Sequence, residues 1–270
     1  MKKIGVGIIG CGAIGSEIAA ACRNRLKAKV DLIAVCDIDM KKAGSLAGRL
    51  GKGVEALTMD ELIKKADLVI EAASAAISAG VVERCIKEKK DCMVMSVGGL
   101  LDKEKLLESA RDKGISLYIP SGALCGLDGL KAASIGRIDS VTLTTRKPPK
   151  GLAGAPYLKA KNIDVAGIDK ETVIFEGTAL EAVQGFPQNI NVAAVLSLAG
   201  IGAEKTRVRI VTSPSYSANI HEVEIAGECG MIKTRAENVP SPNNPKTSYL
   251  AIMSAIAVLE GIASGIRIGT

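Results

Sequence analysis

His221 is the only histidine in the chain, and its imidazole is well suited to transferring protons near neutral pH. The ordinary pKa of histidine, about 6.5, lies close to that range. The residues around it alternate as in a strand, which puts His221 on the same, inward face as Val223 and Ile225. Two interpretations stay open at this point: a buried structural histidine, or a general acid/base in a cleft between domains.

Two asparagines, Asn189 and Asn191, stand at the start of a strongly apolar segment that predicts a helix over residues 189–199. Asn189 could cap that helix, because asparagine favours the N-cap position. Alternatively, one of the two amides could bind the carboxamide of a nicotinamide cofactor, since both begin a helix expected to border the cleft. The residue types leave both roles open.

Cationic and hydroxyl side chains that could bind a carboxylate occur at two further places. A proline fits the first position of a final helix, which would put Lys246, Thr247 and Ser248 in its first turn. Free backbone N–H groups and the helix dipole favour an anion there. Arg146 and Lys147 end an alternating strand and are the other candidate carboxylate partners. Both sets could equally be solvated surface residues.

The elements that must position these side chains begin with a glycine motif. An aliphatic strand over residues 4–9 leads into Gly10, Gly12 and Gly15, and an alanine-rich helix is predicted over 16–27. This order of strand, glycine turn and helix is the context that a dinucleotide-binding fingerprint requires. The first glycine allows a tight turn, the second lets the backbone approach a pyrophosphate, and the third lets helix and strand pack closely.

Ala13 and Ile14 lie between the second and third glycines of this motif. Backbone N–H groups at the N-terminus of the helix can bind phosphate there. A second aliphatic strand ends at Asp37, roughly twenty residues beyond the glycines, where a carboxylate accepts hydrogen bonds from ribose hydroxyls. The motif residues and Asp37 are therefore predicted to bind the cofactor. Because no arginine adjoins Asp37, we expect NAD in preference to NADP, while Lys41 and Lys42 leave some use of NADP open.

Strands and helices continue to alternate up to about Cys125, which predicts βαβ units in an N-terminal Rossmann dinucleotide-binding domain. Loops at the carboxyl ends of parallel strands are where such sheets bind ligands. Ser74, Ser96 and Ala123 follow three of these strands and are candidate neighbours of the cofactor.

Beyond Cys125 the pattern changes to short segments with a period of two, which predict a second, α+β domain whose sheet has one solvated face. Residues 146–160, rich in Gly, Pro and Lys, are expected to form a long loop. A final apolar helix is expected to return to the first domain. We therefore predict an α/β fold with one domain over residues 1–124 and 242–270, and another over 125–241.

The composition argues against several classes of function. Only 2% of the residues are aromatic and the net charge is a mild +6, so nucleic-acid binding is poorly supported, and a small anionic ligand fits better. No apolar run reaches the roughly 18 residues of a membrane span. The exposed sheet predicts a homodimer.

The seven cysteines form no Cys-x-x-Cys pair and no metal-like cluster, so no metal site is predicted. Several lie in apolar strands, as in reduced intracellular proteins, and a cytoplasmic location is expected. Cys125 lacks the neighbouring base and electropositive setting of a nucleophile, so we interpret it as structural.

Several stretches of the chain together resemble the L-aspartate dehydrogenases, almost from end to end. The glycine motif is generic, whereas the later stretches look specific to that family. These are 120–123 (PSGA), 144–149 (TTRKPP), 186–194 (FPQNINVAA), 237–243 (ENVPSPN) and 245–250 (PKTSYL), together with His221.

The resemblance implies NAD(P)-dependent oxidative deamination of L-aspartate, through iminosuccinate, to oxaloacetate and ammonia, or the reverse amination. Iminosuccinate can also feed quinolinate formation, so a link to NAD biosynthesis is implied. By the same resemblance, His221 is the catalytic residue, while Ala123 and one of Asn189 and Asn191 contact NAD.

Two other functions stay open. The first is another two-domain dehydrogenase, of the homoserine or dihydrodipicolinate type, which a panel of substrates would distinguish. The second is a non-catalytic NAD-binding regulator, for which the glycine motif alone would suffice. Such a regulator would bind NADH without turning over any amino acid.

Overall fold

A computed structural model of the chain describes residues 3–187, 191–242, 244–266 and 268–269. The chain divides into two compact units. The first comprises residues 1–120 and 252–267, and the second comprises residues 121–251 and 268–270. Among the described residues, no helix combines the length and the apolar character needed to cross a bilayer.

The strands, numbered in chain order, are β1 (Ile4–Ile9), β2 (Val30–Cys36), β3 (Glu55–Ala56), β4 (Leu68–Glu71), β5 (Asp91–Val94), β6 (Leu117–Tyr118), β7 (Ile138–Lys147), β8 (Thr172–Thr178), β9 (Arg207–Thr212), β10 (Asn219–Gly227), β11 (Gly230–Asn238), β12 (Pro240–Ser241) and β13 (Asn244–Ser248). The α-helices are α1 (Ala13–Arg23), α2 (Met40–Leu50), α3 (Met59–Lys65), α4 (Ala75–Glu88), α5 (Glu104–Asp112), α6 (Leu127–Ala133), α7 (Pro156–Ala160), α8 (Ala179–Gly185), α9 (Asn191–Ala199) and α10 (Tyr249–Ser264).

The first unit is built on a six-stranded sheet in the order β3-β2-β1-β4-β5-β6. Its strands pair in parallel, so each connection must cross over the sheet, and helices supply those crossovers. The central strands are nearly continuous aliphatic runs because parallel strands are covered on both faces. The predicted Rossmann-type sheet is thereby confirmed.

Helix α10 contributes to the same core from the far end of the chain. Ala255 and Leu259 are fully buried there, in a cluster that also contains Ile8, Leu32 and Ile70. Sixteen residues of mostly small and aliphatic side chains give α10 the apolar surface that this packing needs. The fold class predicted above, with a C-terminal helix returning to the first domain, agrees with this arrangement.

The second unit contains a five-stranded sheet in the order β11-β10-β7-β9-β8. Its pairs are antiparallel except for β7 with β9. One face carries buried aliphatic residues such as Val141 and Leu143, which pack in a core with residues of α6, α8 and α9. Three aromatic rings, Tyr157, Phe175 and Phe186, contact one another in this core, with centroids 5.3 to 5.6 Å apart. The predicted second sheet domain is confirmed.

Two local predictions were wrong. Residues 244–248 form strand β13, which pairs with β12, so the last helix begins at Tyr249 instead of Lys246. Residues 146–160 are not one long loop, because β7 extends to Lys147 and α7 follows over Pro156–Ala160. Backbone pairing accounts for β13, which pairs with β12, and for the end of β7, which pairs with β9. Helix α7 instead begins at Pro156, a residue suited to the first turn of a helix.

Candidate active site

The inward face of the five-stranded sheet changes from aliphatic to polar along β7 and β10. On β7, Leu143 is followed on the same face by Thr145 and Lys147, and all three are buried. On β10, Val223 pairs with Leu143, and His221 pairs with Thr145. The predicted inward orientation of His221 therefore agrees with the structure, and a set of polar groups accompanies it.

His221 is held by Thr145. The hydroxyl oxygen of Thr145 and Nδ1 of His221 lie 3.0 Å apart, and the two side chains are 4% and 3% exposed. Burial, and after it the charge of Lys147, lowers the pKa of His221 from 6.5 to about 3. The imidazole is therefore neutral at pH 7. With Nδ1 engaged by Thr145, Nε2 is the nitrogen left for another partner.

Lys147 is the second titratable group on this face. Its side chain is 8% exposed, and burial lowers its pKa from 10.5 to about 8. It also lines, with Thr145, a cavity of only about 10 Å³ whose other walls are apolar, among them Phe186 and Ala193. Low polarity around a buried ammonium strengthens its attraction for an anionic group that reaches it.

Arg146 is not brought together with His221, although it precedes Lys147. Strand alternation turns its side chain to the opposite face of the sheet. There its guanidinium contacts Glu222 (Nε to Oε2, 3.1 Å), Glu171 (Nη1 to Oε1, 3.1 Å) and the Tyr216 hydroxyl (3.0 Å). These contacts make Arg146 part of a charged network on the outer face of the sheet.

The three glycines of the motif differ in what surrounds them. Gly10 has a φ of +103°, and a Cβ there would lie 2.5 Å from the Ala72 carbonyl oxygen. A Cβ on Gly15 would lie 1.9 Å from the Gly10 carbonyl oxygen. At Gly12, by contrast, a Cβ would meet no described atom within 4 Å. Packing within the protein thus explains two glycines, and open space at the third leaves room for a ligand.

Ala13 and Ile14 are the first residues of α1, which begins earlier than the sequence predicted. Their backbone N–H groups therefore belong to the helix end that can bind phosphate. The Asp37 carboxylate follows β2 and accepts hydrogen bonds from the backbone N–H of Cys11 (2.8 Å) and of Asp39 (3.0 Å). These bonds fix the carboxylate beside the glycine turn.

The buried carboxylate of Glu71 organises the two neighbouring strand ends. Its Oε1 accepts hydrogen bonds from the backbone N–H of Ala73 (2.8 Å) and Ser74 (3.1 Å), and its Oε2 accepts one from Ser96 (3.0 Å). Burial raises the pKa of Glu71, and these N–H bonds oppose the rise. Ser74 and Ser96, both predicted neighbours of the cofactor, are thus held by one side chain.

The remaining predicted residues lie in the second unit. Ala123 is buried, and its carbonyl oxygen accepts a hydrogen bond from Asn238 Nδ2 at 3.2 Å. Asn191 is exposed at the start of α9, whereas Asn189 lies outside the described residues.

The three residues predicted in the first turn of the last helix lie elsewhere. Lys246, Thr247 and Ser248 belong to strand β13, so the helix dipole does not act on them as expected. Ser248 is buried and Thr247 is half-buried, while the side chain of Lys246 lies outside what the structure describes.

Two family models match the chain. "Homoserine dehydrogenase, NAD binding domain" covers residues 10–120, and "Aspartate dehydrogenase, C-terminal" covers residues 128–262. An L-aspartate dehydrogenase of Methanosarcina barkeri is 48% identical over 98% of this chain and 99% of its own length. This chain belongs to the L-aspartate dehydrogenase family.

Other relatives agree with that assignment. An L-aspartate dehydrogenase of Methanosarcina mazei is 49% identical over 98% of this chain and 99% of its own. The crystal structure of the Thermotoga maritima aspartate dehydrogenase superposes with a TM-score of 0.77 at 27% identity, covering 99% of this chain and all of that one. The match of residues 10–120 to an NAD-binding domain model identifies the Rossmann unit as a nicotinamide cofactor-binding domain.

The sequence did not point to Thr145, Glu71 or Asn238, which contact His221, the backbone of Ser74 and Ser96, and Ala123, respectively. Thr145 and His221 are 76 residues apart, and only the pairing of β7 with β10 joins them. Glu71 carried a usable signal, because it is an acidic residue inside an apolar strand that leads into the Ser74 loop. A buried charge of that kind needs compensating hydrogen bonds.

Proposed function

We propose that this chain catalyses the NAD(P)-dependent interconversion of L-aspartate and water with oxaloacetate and ammonia, through iminosuccinate. The proposal is carried by the buried polar group of His221, Thr145 and Lys147 in a member of the L-aspartate dehydrogenase family. A neutral base beside a buried cation suits a substrate with two carboxylates and a carbon centre that reacts with water.

The cofactor would be held by Gly10, Gly12, Ala13, Ile14 and Gly15, with the open space at Gly12 as the supporting observation. When bound, the nicotinamide accepts the hydride that leaves Cα of aspartate. We further propose a preference for NAD over NADP, because a carboxylate at the ribose position repels a 2′-phosphate. Asp37 is that carboxylate, and its attachment to the glycine turn supports the role.

His221 would act on water. Iminosuccinate is electrophilic at carbon, and Nε2 of the neutral imidazole can take a proton from the water that attacks it. The C–O bond forms while the C=N bond becomes a single bond. The same nitrogen then returns this proton to the amine; as the C–N bond breaks and ammonia leaves, it takes the remaining proton of the carbinol hydroxyl, and the carbonyl of oxaloacetate forms. For Nε2 to be basic, the ring hydrogen must lie on Nδ1, where the Thr145 oxygen can accept it.

Lys147 is proposed to bind one substrate carboxylate. Its positive charge contributes to the low pKa of His221. A bound carboxylate would offset that charge, so the pKa of His221 would rise once the substrate is in place. Arg146 is a weaker candidate because two carboxylates already contact it.

We also propose that the protein forms a homodimer through the outer face of the five-stranded sheet. Acidic and basic side chains alternate there, with Glu224 beside Lys233 (2.9 Å) and Glu222 beside Arg235. Such a mixed pattern is self-complementary under a twofold axis. Light scattering of the purified protein would give the mass directly.

The test of the reaction is NADH formation, measured by absorbance, with purified protein, NAD and L-aspartate at alkaline pH. L-Glutamate, L-alanine and L-homoserine are the comparison substrates. Selective turnover of aspartate is expected, and a link to NAD biosynthesis through iminosuccinate would follow. Turnover of homoserine alone would favour a different dehydrogenase, and NADH binding without any turnover would favour a regulator.

A further inference from the structure

Glu71 is a fully buried carboxylate at the carboxyl end of β4. Three backbone N–H groups donate to it, from Ala73, Ser74 and Ser96, and the hydroxyl of Ser96 adds a further bond. An ionised carboxylate accepts at both of its oxygens, whereas an amide or a protonated acid carries a donor at one end. This set of donors therefore suits an ionised glutamate.

The hydrogen bonds of Glu71 join two segments that follow neighbouring strands. Residues 72–74 follow β4, and residues 95–97 follow β5, which pairs with β4 in parallel. A close contact reinforces this connection, because a Cβ on Gly99 would lie 2.1 Å from the carbonyl oxygen of Ala75, at the start of α4. The two segments are thus fixed to each other through one buried side chain and one close backbone approach.

The first of these segments lies beside the glycine turn. A Cβ on Gly10 would lie 2.5 Å from the carbonyl oxygen of Ala72, so the two backbones are in contact. Ala73 and Ser74, the next residues in the chain, are exposed. The backbone that Glu71 fixes is therefore accessible to a ligand whose phosphates the glycine turn holds.

The strand order determines which part of the cofactor reaches this segment. In the six-stranded sheet, β2 and β4 lie on opposite sides of β1. The glycine turn follows β1, and Asp37, the proposed partner of the adenosine ribose, follows β2. A dinucleotide lies across the carboxyl ends of such strands. Its second nucleoside must therefore extend from the glycine turn over β4 and β5, the strands whose ends Glu71 joins.

We propose that Glu71 is a positioning residue for the nicotinamide nucleoside. Without touching the cofactor, it holds residues 72–74 and 95–97 in the arrangement that this half of the cofactor binds. The inference rests on the proposed function, in which the glycine turn holds the cofactor phosphates. Backbone that is ordered before binding does not have to be ordered by the ligand, so Glu71 contributes to affinity. That contribution is specific to the nicotinamide half, because the adenosine half lies over β1 and β2.

The test compares NAD with ADP, which lacks the nicotinamide nucleoside. Dissociation constants for both are measured by calorimetry with the wild type and with Glu71→Gln. Loss of one hydrogen bond to a charged group corresponds to roughly a tenfold change in affinity. We expect the Kd of NAD to rise by about tenfold and that of ADP by less than about twofold. If Glu71→Gln does not fold, Glu71→Asp replaces it with the same expectation, because a side chain shorter by one methylene cannot reach both segments.

Asp67→Asn is the matched control. Asp67 also joins two strands of this sheet, but at the opposite end, where its Oδ2 accepts a hydrogen bond from the backbone N–H of Gly5 at 2.8 Å. The change from carboxylate to amide is the same as in Glu71→Gln. A general loosening of the sheet would affect both variants, whereas Asp67→Asn should leave the ratio of the two dissociation constants unchanged.

Equal rises for NAD and ADP in Glu71→Gln would overturn the inference, as would an unchanged Kd of NAD. A rise in the Kd of NAD that is as large in Asp67→Asn would overturn it too. In each of these cases aspartate turnover by the wild type would leave the proposed function standing. A wild type that binds neither nucleotide would instead contradict the proposed function itself.

Discussion

Replacing Lys147 by methionine should make the protein more stable and at the same time impair it as an enzyme. Burial lowers the pKa of Lys147 from 10.5 to about 8. One pKa unit corresponds to about 1.4 kcal/mol, so keeping this ammonium charged in the folded chain at pH 7 costs about 3 kcal/mol. Methionine has a similar length and suits the apolar pocket walls around it. The free energy of unfolding should therefore rise by up to about 3 kcal/mol at pH 7.

The pH dependence of stability provides a second test of whether Lys147→Met raises the free energy of unfolding. Below pH 8 Lys147 is protonated in both the folded and the unfolded chain, so the full cost of burying its charge is present. Between pH 8 and 10.5 the unfolded chain keeps the proton that the folded chain has lost, so the wild type gains stability as pH rises. The advantage of Lys147→Met should shrink across this window and nearly vanish at its upper end.

The measurement is urea unfolding followed by circular dichroism at several pH values, together with steady-state kinetics. Lys233→Met is the control, because its ammonium pairs with Glu224 on the surface and its loss should change stability by less than about 0.5 kcal/mol. The kcat/KM for aspartate should fall by about 100-fold in Lys147→Met, as expected when a buried carboxylate loses a charged partner. A variant less stable than the wild type at pH 7 would refute the argument from burial, and unchanged kinetics would refute the proposed contact with substrate.

Four further outcomes are expected. His221→Ala should lower kcat by about 10²- to 10⁴-fold with the Kd of NAD nearly intact; weakened NAD binding with normal turnover at saturation would contradict its catalytic role. Thr145→Val should lower kcat and move its pH profile, and Thr145→Ser should restore both; equal loss in the two variants would point to packing alone. In the wild type, the acid limb of kcat should lie at higher pH than that of kcat/KM, because bound substrate raises the pKa of His221; coincident limbs would contradict this. Glu71→Gln should weaken NAD binding by about tenfold with little change in kcat, because the glutamine amide nitrogen would face at least one of the three backbone N–H groups that Glu71 now accepts from. An unchanged Kd by calorimetry would show that Glu71 does not contribute to the cofactor site.

Much of the first unit could be predicted from the sequence because its determinants are local. The glycine spacing from Gly10 to Gly15 reports backbone requirements within one turn, and the aliphatic runs report strands covered on both faces. The inward orientation of His221 likewise follows from a period of two within a single strand. None of these inferences needs to know which segments are neighbours in space.

The second unit shows where local information ends. Its sheet joins strands far apart in the chain, so the sequence could not tell that Thr145 faces His221 or that Asn238 holds Ala123. The start of the last helix was predicted wrongly for the same reason, since pairing with β12 turns residues 244–248 into a strand.

Local sequence patterns were enough to predict the Rossmann architecture, a dinucleotide cofactor and the residue type best suited to proton transfer. The tertiary structure was needed to separate Arg146 from Lys147 as proposed carboxylate partners, because the two are adjacent in sequence but lie on opposite faces of β7. It also decided the protonation states, because the low pKa values of His221 and Lys147 come from burial among side chains contributed by distant strands. Desolvation is a property of the packed environment, and no single segment of the chain contains it.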